Sequence, residues 1–329
     1  MNFIDEDPVT GVITPTITFF TAEGSIAPEA NQLLLEHVIR NRANAIFVMG
    51  STGEGRFFCD KPEEKKRYLE LVKATVQPTS TPDLPILVGI YGENAPDAIM
   101  DAQATLRVIP NAMMVIPPPV GSKLNAPEQR DFFSEILDQI EAPIYAYNNP
   151  GTFGGTQLDV KIMEGLKSYP HFKGLKDSSG STDQKKEYLQ LVSRSFTVSC
   201  GKEGMLAQFL ALVPQSDRKL IGIVPSIANL TQTCAEIVAQ GNLGNDKLML
   251  DKQAMMNQYR EKIYDAAQEK GKAQRGLKIA FAHLYRDRGI EIPVTVSPGF
   301  KRDVADLERK AIQKQTDELL ANGEILKVD

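Results

Sequence analysis

The chain has 329 residues and a formal charge of −5, enough for one large α/β domain or two average ones. The acidic balance argues against nucleic acid as a partner, and charges or prolines interrupt each apolar run well short of the about 20 residues that span a bilayer. The start MNFIDEDPVTG lacks the basic-then-apolar order of a secretion signal, and Cys59, Cys200 and Cys234 are far apart, so a cytoplasmic protein with reduced thiols is expected.

In chain order, the first strand is predicted at residues 12–19 and the first helix at 28–40. Pro28 stands in that helix's first turn, where a missing N–H has no helical partner to lose; Pro62 and Pro127 repeat the signal later. The alternation continues with strands at 45–49, 86–90, 112–116, 144–147, 172–176, 197–199 and 220–224. Helices are predicted between and after them at 62–75, 95–107, 127–139, 160–168, 183–193, 203–212 and 230–239. Eight strands, each followed by a helix, is the count of an α/β (β/α)8 TIM barrel. The strands are nearly continuous apolar runs, AIFVM and AMMVI most clearly, as parallel strands covered on both faces should be. A doubly wound open sheet competes, but no strand leads through GxGxxG into a helix.

Beyond residue 240 the strand signals stop. Helices are predicted at 246–269, 272–286 and 303–322, with a Pro-bearing connector at 292–298. The expected organisation is a barrel over residues 1–240 that carries the active site and a C-terminal helical segment over 241–329 packed on it. The charged runs EEKKR at 63–67 and KKE at 185–187 read as solvated helix faces. His37, His171, His283 and the three cysteines show no CxxC, HExxH or clustered spacing, so no metal is expected.

In a barrel of this kind the active site lies at the C-terminal ends of the strands. Four of those ends carry polar or rigid groups: GSTGEG at 50–55, PPP at 117–119, YNNPG at 147–151 and KDSSG at 176–180. Lys176 closes an apolar strand, where desolvating an ammonium is costly. It is either a solvated lysine at a strand tip or an amine nucleophile for a carbonyl substrate. Tyr147 on the neighbouring strand can carry protons for such an amine, or can simply fill the barrel and bond a carbonyl. Tyr145, two residues earlier, reads as barrel filling. The GSTGEG loop can cradle an anion on its backbone N–H groups, or can be a plain turn in which Ser51 or Thr52 bonds its own backbone.

Taken together, these residues resemble the dihydrodipicolinate synthase/N-acetylneuraminate lyase superfamily of Schiff-base aldolases and lyases. GSTGEG is similar to its strand-two GTTGE motif, YNNPGTFGG to its YNxP motif, and GLKDSSG to its lysine motif; GVITPTITFF fits its first strand. The resemblance covers essentially the whole chain. It implies that Lys176 forms an imine with pyruvate or another 2-keto acid, that Tyr147 shuttles the proton, and that Thr52 stands in the hydroxyl relay beside it. Ser51, with adjacent backbone N–H groups such as that of Gly53, would hold the carboxylate. Gly201 and Val224 would line the keto-acid pocket. No cofactor beyond the covalent imine is implied, the second substrate would be an aldehyde, and a homo-oligomer, dimer or tetramer, is expected.

Two departures bear on the substrate. Where true dihydrodipicolinate synthases carry an arginine for the aldehyde's carboxylate, two residues after Pro150, this chain has Thr152, which offers no bidentate clamp. Where they place a relay tyrosine after strand four, it has Pro117, Pro118 and Pro119. Both favour an aldolase or dehydratase of 2-keto or 2-keto-3-deoxy acids over an authentic synthase with unusual aldehyde recognition. They also leave open a non-catalytic keto-acid binder. Phe153 reads as an apolar recognition wall or as packing.

Overall fold

The computed structural model describes residues 7–79, 84–264, 272–297 and 306–326. Eight short strands, all parallel, pair in sequence order and close when the first meets the last. They are β1 Gly11–Pro15, β2 Ala45–Val48, β3 Ile86–Gly89, β4 Met113–Ile116, β5 Ile144–Asn148, β6 Phe172–Asp177, β7 Thr197–Cys200 and β8 Gly222–Ile223. The intervening helices are α1 Pro28–Arg40, α2 Pro62–Thr79, α3 Ala95–Val108, α4 Ala126–Gln139, α5 Val160–Leu166, α6 Thr182–Leu189, α7 Leu206–Leu210 and α8 Thr233–Asn242. Three more helices follow: α9 Asp246–Tyr264, α10 Lys272–Tyr285 and α11 Asp306–Ala321. The (β/α)8 barrel with C-terminal helices is therefore the architecture.

The unbroken apolar strands are explained by two cores that share them. Side chains alternate across a strand. Along β2, Ala45 and Phe47 point into the barrel with Ile13, Leu87, Tyr145 and Tyr147, while Ile46 and Val48 pack outward against the helices. Tyr145 fills the barrel interior: its hydroxyl accepts from the Val9 amide at 2.9 Å and meets the Met113 sulfur at 3.8 Å. Polar caps start several helices, with a full capping box where Asn125 and Glu128 exchange bonds at the head of α4.

The structure differs from the sequence reading in several places, among them β8, which is Gly222–Ile223 and not 220–224, and α6, which ends at Leu189 and not at 193. β1 ends at Pro15, not at residue 19: the Thr16 N–H still donates to the Phe47 carbonyl (3.0 Å), but beyond it Ile17 N–H donates to Asn229 Oδ1 (3.1 Å) and Phe19 N–H to Asn31 Oδ1 (2.9 Å). The helix expected at 203–212 is a 3-10 turn, Glu203–Met205, followed by the short α7, before Pro214. The helix expected from residue 230 starts at Thr233, behind a 3-10 turn, Ser226–Asn229, in which Asn229 folds inward to donate to the Pro15 and Ser226 carbonyls. Lys65 and Lys185, expected in solvent, are buried and paired with Asp101 and Asp177. Residues 265–269 and 303–305 of the expected C-terminal helices, and residue 298 of the connector, lie outside the described residues.

Candidate active site

Lys176 and Tyr147 are directly paired in the register of β6 and β5. Both side chains turn into the barrel, and only 8% of Lys176 is exposed. The lysine nitrogen lies 4.0 Å from the Tyr147 ring centroid and 4.8 Å from that of Phe47. The neighbouring carboxylate, Asp177, projects to the other face of β6. It accepts there from Lys185, from Asn148 (2.7 Å) and from both the amide and the hydroxyl of Ser179 (3.0 Å each). Asp177 thus anchors the KDSSG turn to α6 and leaves the Lys176 amine facing aromatic rings.

The Tyr147 hydroxyl meets Ser51 Oγ at 3.4 Å and accepts from Asn149 Nδ2 at 3.2 Å. Burial alone would push this phenol up. The Lys176 charge and hydrogen bonds to Ser51, Ser178 and Asn149 outweigh burial and hold it below its usual value. A phenol so placed gives up its proton more readily than a free tyrosine.

The strand-two loop has an unusual backbone. Met49 and Glu54 both take left-handed conformations (φ 55° each). Glycines let the chain fold over itself there: a Cβ on Gly55 would lie 1.8 Å from the Met49 carbonyl oxygen, and one on Gly89 would lie 2.1 Å from it. Tyr91, at the end of β3, donates to that same oxygen (3.0 Å), and Thr18 donates to the Gly53 carbonyl (2.8 Å). Gln274 on α10 donates to the Ser51 carbonyl at 2.9 Å. Glu54 is fully buried against Lys278 of α10 (2.5 Å) and accepts from the Ser297 amide (2.5 Å). Burial pushes the Lys278 ammonium down from its ordinary value, opposed by the charge and hydrogen bond of Glu54. Among the described residues, no backbone acceptor meets the N–H groups of Ser51, Thr52 or Gly53.

The site residues expected from sequence do not all fall where expected. Ser51, not Thr52, is the hydroxyl beside Tyr147; Thr52 Oγ1 turns instead to Ser226 Oγ at 2.8 Å, at the end of β8. Gly201 lies against the lysine: a Cβ there would come 2.1 Å from Ser178 Oγ and 3.0 Å from Lys176 Cε. Val224 is buried in the barrel cluster that contains Tyr147. Thr152 is exposed on the turn after β5. Phe153 is buried, its ring packed edge-on against Tyr147 with centroids 5.1 Å apart, so it is packing. Pro117, Pro118 and Pro119 are buried after β4.

Sequence reasoning missed Tyr91, Ser178, Ser226, Gln274 and Lys278. Ser178 and Ser226 had a signal, since both follow a strand's C-terminal end. The two α10 residues had none, because nothing local ties them to a loop more than 200 positions away. Among the described residues no group of three or more His, Cys, Asp or Glu side chains could hold a metal ion. No described helix is long and apolar enough to cross a membrane.

Residues 8–282 match the model of the dihydrodipicolinate synthetase family. The chain belongs to that family. Among curated members, it is 32% identical over 197 residues to the 4-hydroxy-tetrahydrodipicolinate synthase of Chlamydia muridarum, a match covering 59% of this chain and 63% of that protein. The matched stretch is thus less than two thirds of that relative's length. Among solved structures, the dihydrodipicolinate synthase of Bacteroides thetaiotaomicron superposes with a TM-score of 0.81 at 22% identity, covering 95% of this chain and 100% of that one. YagE, a prophage protein of the same family from Escherichia coli K12 crystallised with pyruvate, gives 0.79 at 20% identity, covering 94% and 98%. At these identities the two structures speak for the barrel and for nothing finer.

Proposed function

We propose that this family member is a carbon–carbon lyase, a Schiff-base aldolase or aldolase/dehydratase acting on pyruvate or a 2-keto-3-deoxy acid. The observation that carries this reading is the Lys176 amine lying over the ring of Tyr147, whose hydroxyl is held by Ser51 and Asn149. Lys176 Nζ attacks the keto carbon: the C–N bond forms as the carbonyl π pair moves onto oxygen. Tyr147 relays the proton lost by nitrogen to that oxygen, and a second proton transfer expels it as water, leaving a protonated imine. The imine then accepts the electron pair of the neighbouring C–H bond, or of the C–C bond beyond it, to give an enamine. No metal or further cofactor is needed for these steps.

Ser51 serves as the relay hydroxyl, and the N–H groups of Thr52 and Gly53 receive the substrate carboxylate. Gly201 and Val224 shape the pocket, and Thr52 braces the loop through Ser226. The second substrate is an aldehyde whose charge, if any, is not met at Thr152. An authentic 4-hydroxy-tetrahydrodipicolinate synthase is the second reading, favoured by the 32% identical relative of that name. The uncharged Thr152 weighs against it. We also infer a cytoplasmic homo-oligomer. The three unpaired cysteines suit a reducing compartment, and exposed Met100 and Leu243 offer apolar surface to a second copy.

Incubation with pyruvate and borohydride tests the central claim. Peptide mapping is expected to find a reduced pyruvyl adduct on Lys176 that disappears in Lys176→Ala. No adduct in the wild type, or one that persists in the variant, overturns the reading.

A further inference from the structure

The C-terminal helices reach the chemistry at one point. Gln274 Nε2 donates to the Ser51 carbonyl at 2.9 Å, and one turn further along α10 Lys278 binds Glu54 at 2.5 Å. The two contacts grip the strand-two loop at both ends of its Ser-Thr-Gly-Glu run. Lys278 is also held by the Thr295 carbonyl (2.8 Å) and lies 4.9 Å from the centre of the Phe20 ring, so α10 cannot slide relative to the barrel without breaking a buried ion pair.

The Gln274 contact has a stereochemical consequence. The carbonyl of Ser51 and the amide of Thr52 belong to one planar trans peptide, whose C=O and N–H point in opposite directions. A donor that fixes the oxygen toward α10 therefore fixes the Thr52 N–H away from it. Among the described residues, the Ser51 oxygen accepts otherwise only a long turn bond from Glu54 (3.3 Å) and the Thr52 amide has no backbone partner, while the two flanking side chains are held by Tyr147 and Ser226. Gln274 thus supplies a short hydrogen bond to that peptide's own oxygen, in a loop bracketed by the left-handed Met49 and Glu54.

We propose that Gln274 is a positioning residue for the substrate carboxylate, a member of the C-terminal helical segment that aims the Thr52 N–H at the keto acid by holding the Ser51 carbonyl. The inference rests on the Schiff-base reading above and adds to it a role for α10 that no strand-end motif carries. It predicts a defect in binding carboxylate, not in forming the imine as such.

Borohydride trapping on the full chain, with pyruvate and with methyl pyruvate, reads this out. Wild-type trapping on Lys176 first establishes the imine independently. Gln274→Met keeps the size of the side chain and removes the donor. It is expected to raise half-saturating pyruvate about tenfold, the scale of one well-placed hydrogen bond, and to leave maximal trapping unchanged. Methyl pyruvate, which has no free carboxylate, is expected to trap equally in wild type and variant. Gln274→Lys, which restores a donor of similar reach, is expected to return pyruvate to the wild-type concentration. Equal half-saturation in Gln274→Met and wild type, an equal shift for both ketones, or a Gln274→Lys protein as weak as Gln274→Met overturns the proposal. If Gln274→Met does not fold, a raised pyruvate requirement in Gln274→Lys overturns it, and a wild-type value supports it.

Discussion

Ser51 and Tyr147 meet through their hydroxyl oxygens at 3.4 Å, across almost a hundred residues of sequence, while the adjacent Thr52 turns away to Ser226. Two neighbouring hydroxyls in one motif thus have separate partners, one on β5 and one after β8. Chemically, only the first can pass a proton to the phenol or stabilise its ionised form.

Replacing each hydroxyl separately should expose that division. Ser51→Ala removes a hydrogen bond that favours the phenolate, so the Tyr147 ionisation should move up toward the ordinary tyrosine range. A difference titration of tyrosinate absorbance against Tyr147→Phe measures it directly. Turnover should fall about 100-fold, the lower end of what positioned proton transfer supplies. Thr52→Val should cost less than about fivefold, because the lost bond to Ser226 only braces the loop. A Thr52→Val protein as impaired as Ser51→Ala would show that the relay runs through Thr52 after all.

Lys278 and Glu54 form an ion pair with both side chains fully buried. Removing one partner strands the other charge in a site that water does not reach. Lys278→Met should therefore lower stability by about 3–5 kcal/mol, measured by urea unfolding. Adding Glu54→Gln to that variant should recover part of the loss, since no bare charge then remains. A double variant less stable than Lys278→Met alone would mean that Glu54 is held mainly by the Ser297 amide.

His37 makes stability depend on pH. Its ring is fully buried, donating to the Leu230 carbonyl at 3.2 Å, and burial lowers its pKa to about 4. The unfolded chain binds the proton near the ordinary 6.5, whereas the folded chain does not until about pH 4. The folded state is thus fully favoured above pH 6.5 and loses ground as pH falls through that window, by about 3 kcal/mol at its lower end. Denaturant midpoints from pH 7 to 4 should show the decline, and His37→Gln should flatten it. An equally steep decline in that variant would assign the loss to other groups.

The barrel was legible because parallel strands buried on both faces must be apolar throughout, and AIFVM and AMMVI leave few alternatives. β1 reads four residues too long for the same reason: residues 16–19 are all buried, but the Ile17 and Phe19 amides are claimed by Asn229 and Asn31, which no local pattern reveals. Lys65 and Lys185 were misread because a charged run looks the same whether it faces water or one carboxylate in the interior. At the site, strand position puts Lys176 and Tyr147 side by side, since neighbouring parallel strands bring their ends together, but it leaves a solvated lysine and a barrel-filling tyrosine open; only the three motifs taken together imply their roles. The exchange between Ser51 and Thr52 is not legible, because two adjacent hydroxyls in one turn differ only in which way the folded loop aims them.

The turn after β5 offers a direct test of what selects the second substrate. Thr152 is exposed, its amide bonded to the Asn149 carbonyl at 2.9 Å, while Phe153 below it is locked against Tyr147. A larger side chain at 152 can therefore project into solvent without disturbing the packing beneath Tyr147. Thr152→Arg should raise kcat/KM for a carboxylate-bearing aldehyde such as aspartate semialdehyde by about tenfold or more, as expected of a charge-assisted, bidentate pair. Thr152→Lys supplies the charge without the planar fork and should give a smaller gain. Turnover with uncharged aldehydes should change little in either variant, because they offer no carboxylate for the new charge to hold. If neither substitution improves use of the charged aldehyde while both proteins still trap pyruvate on Lys176, the missing charge at this turn does not set the choice, and the buried Pro117, Pro118 and Pro119 turn becomes the place to look.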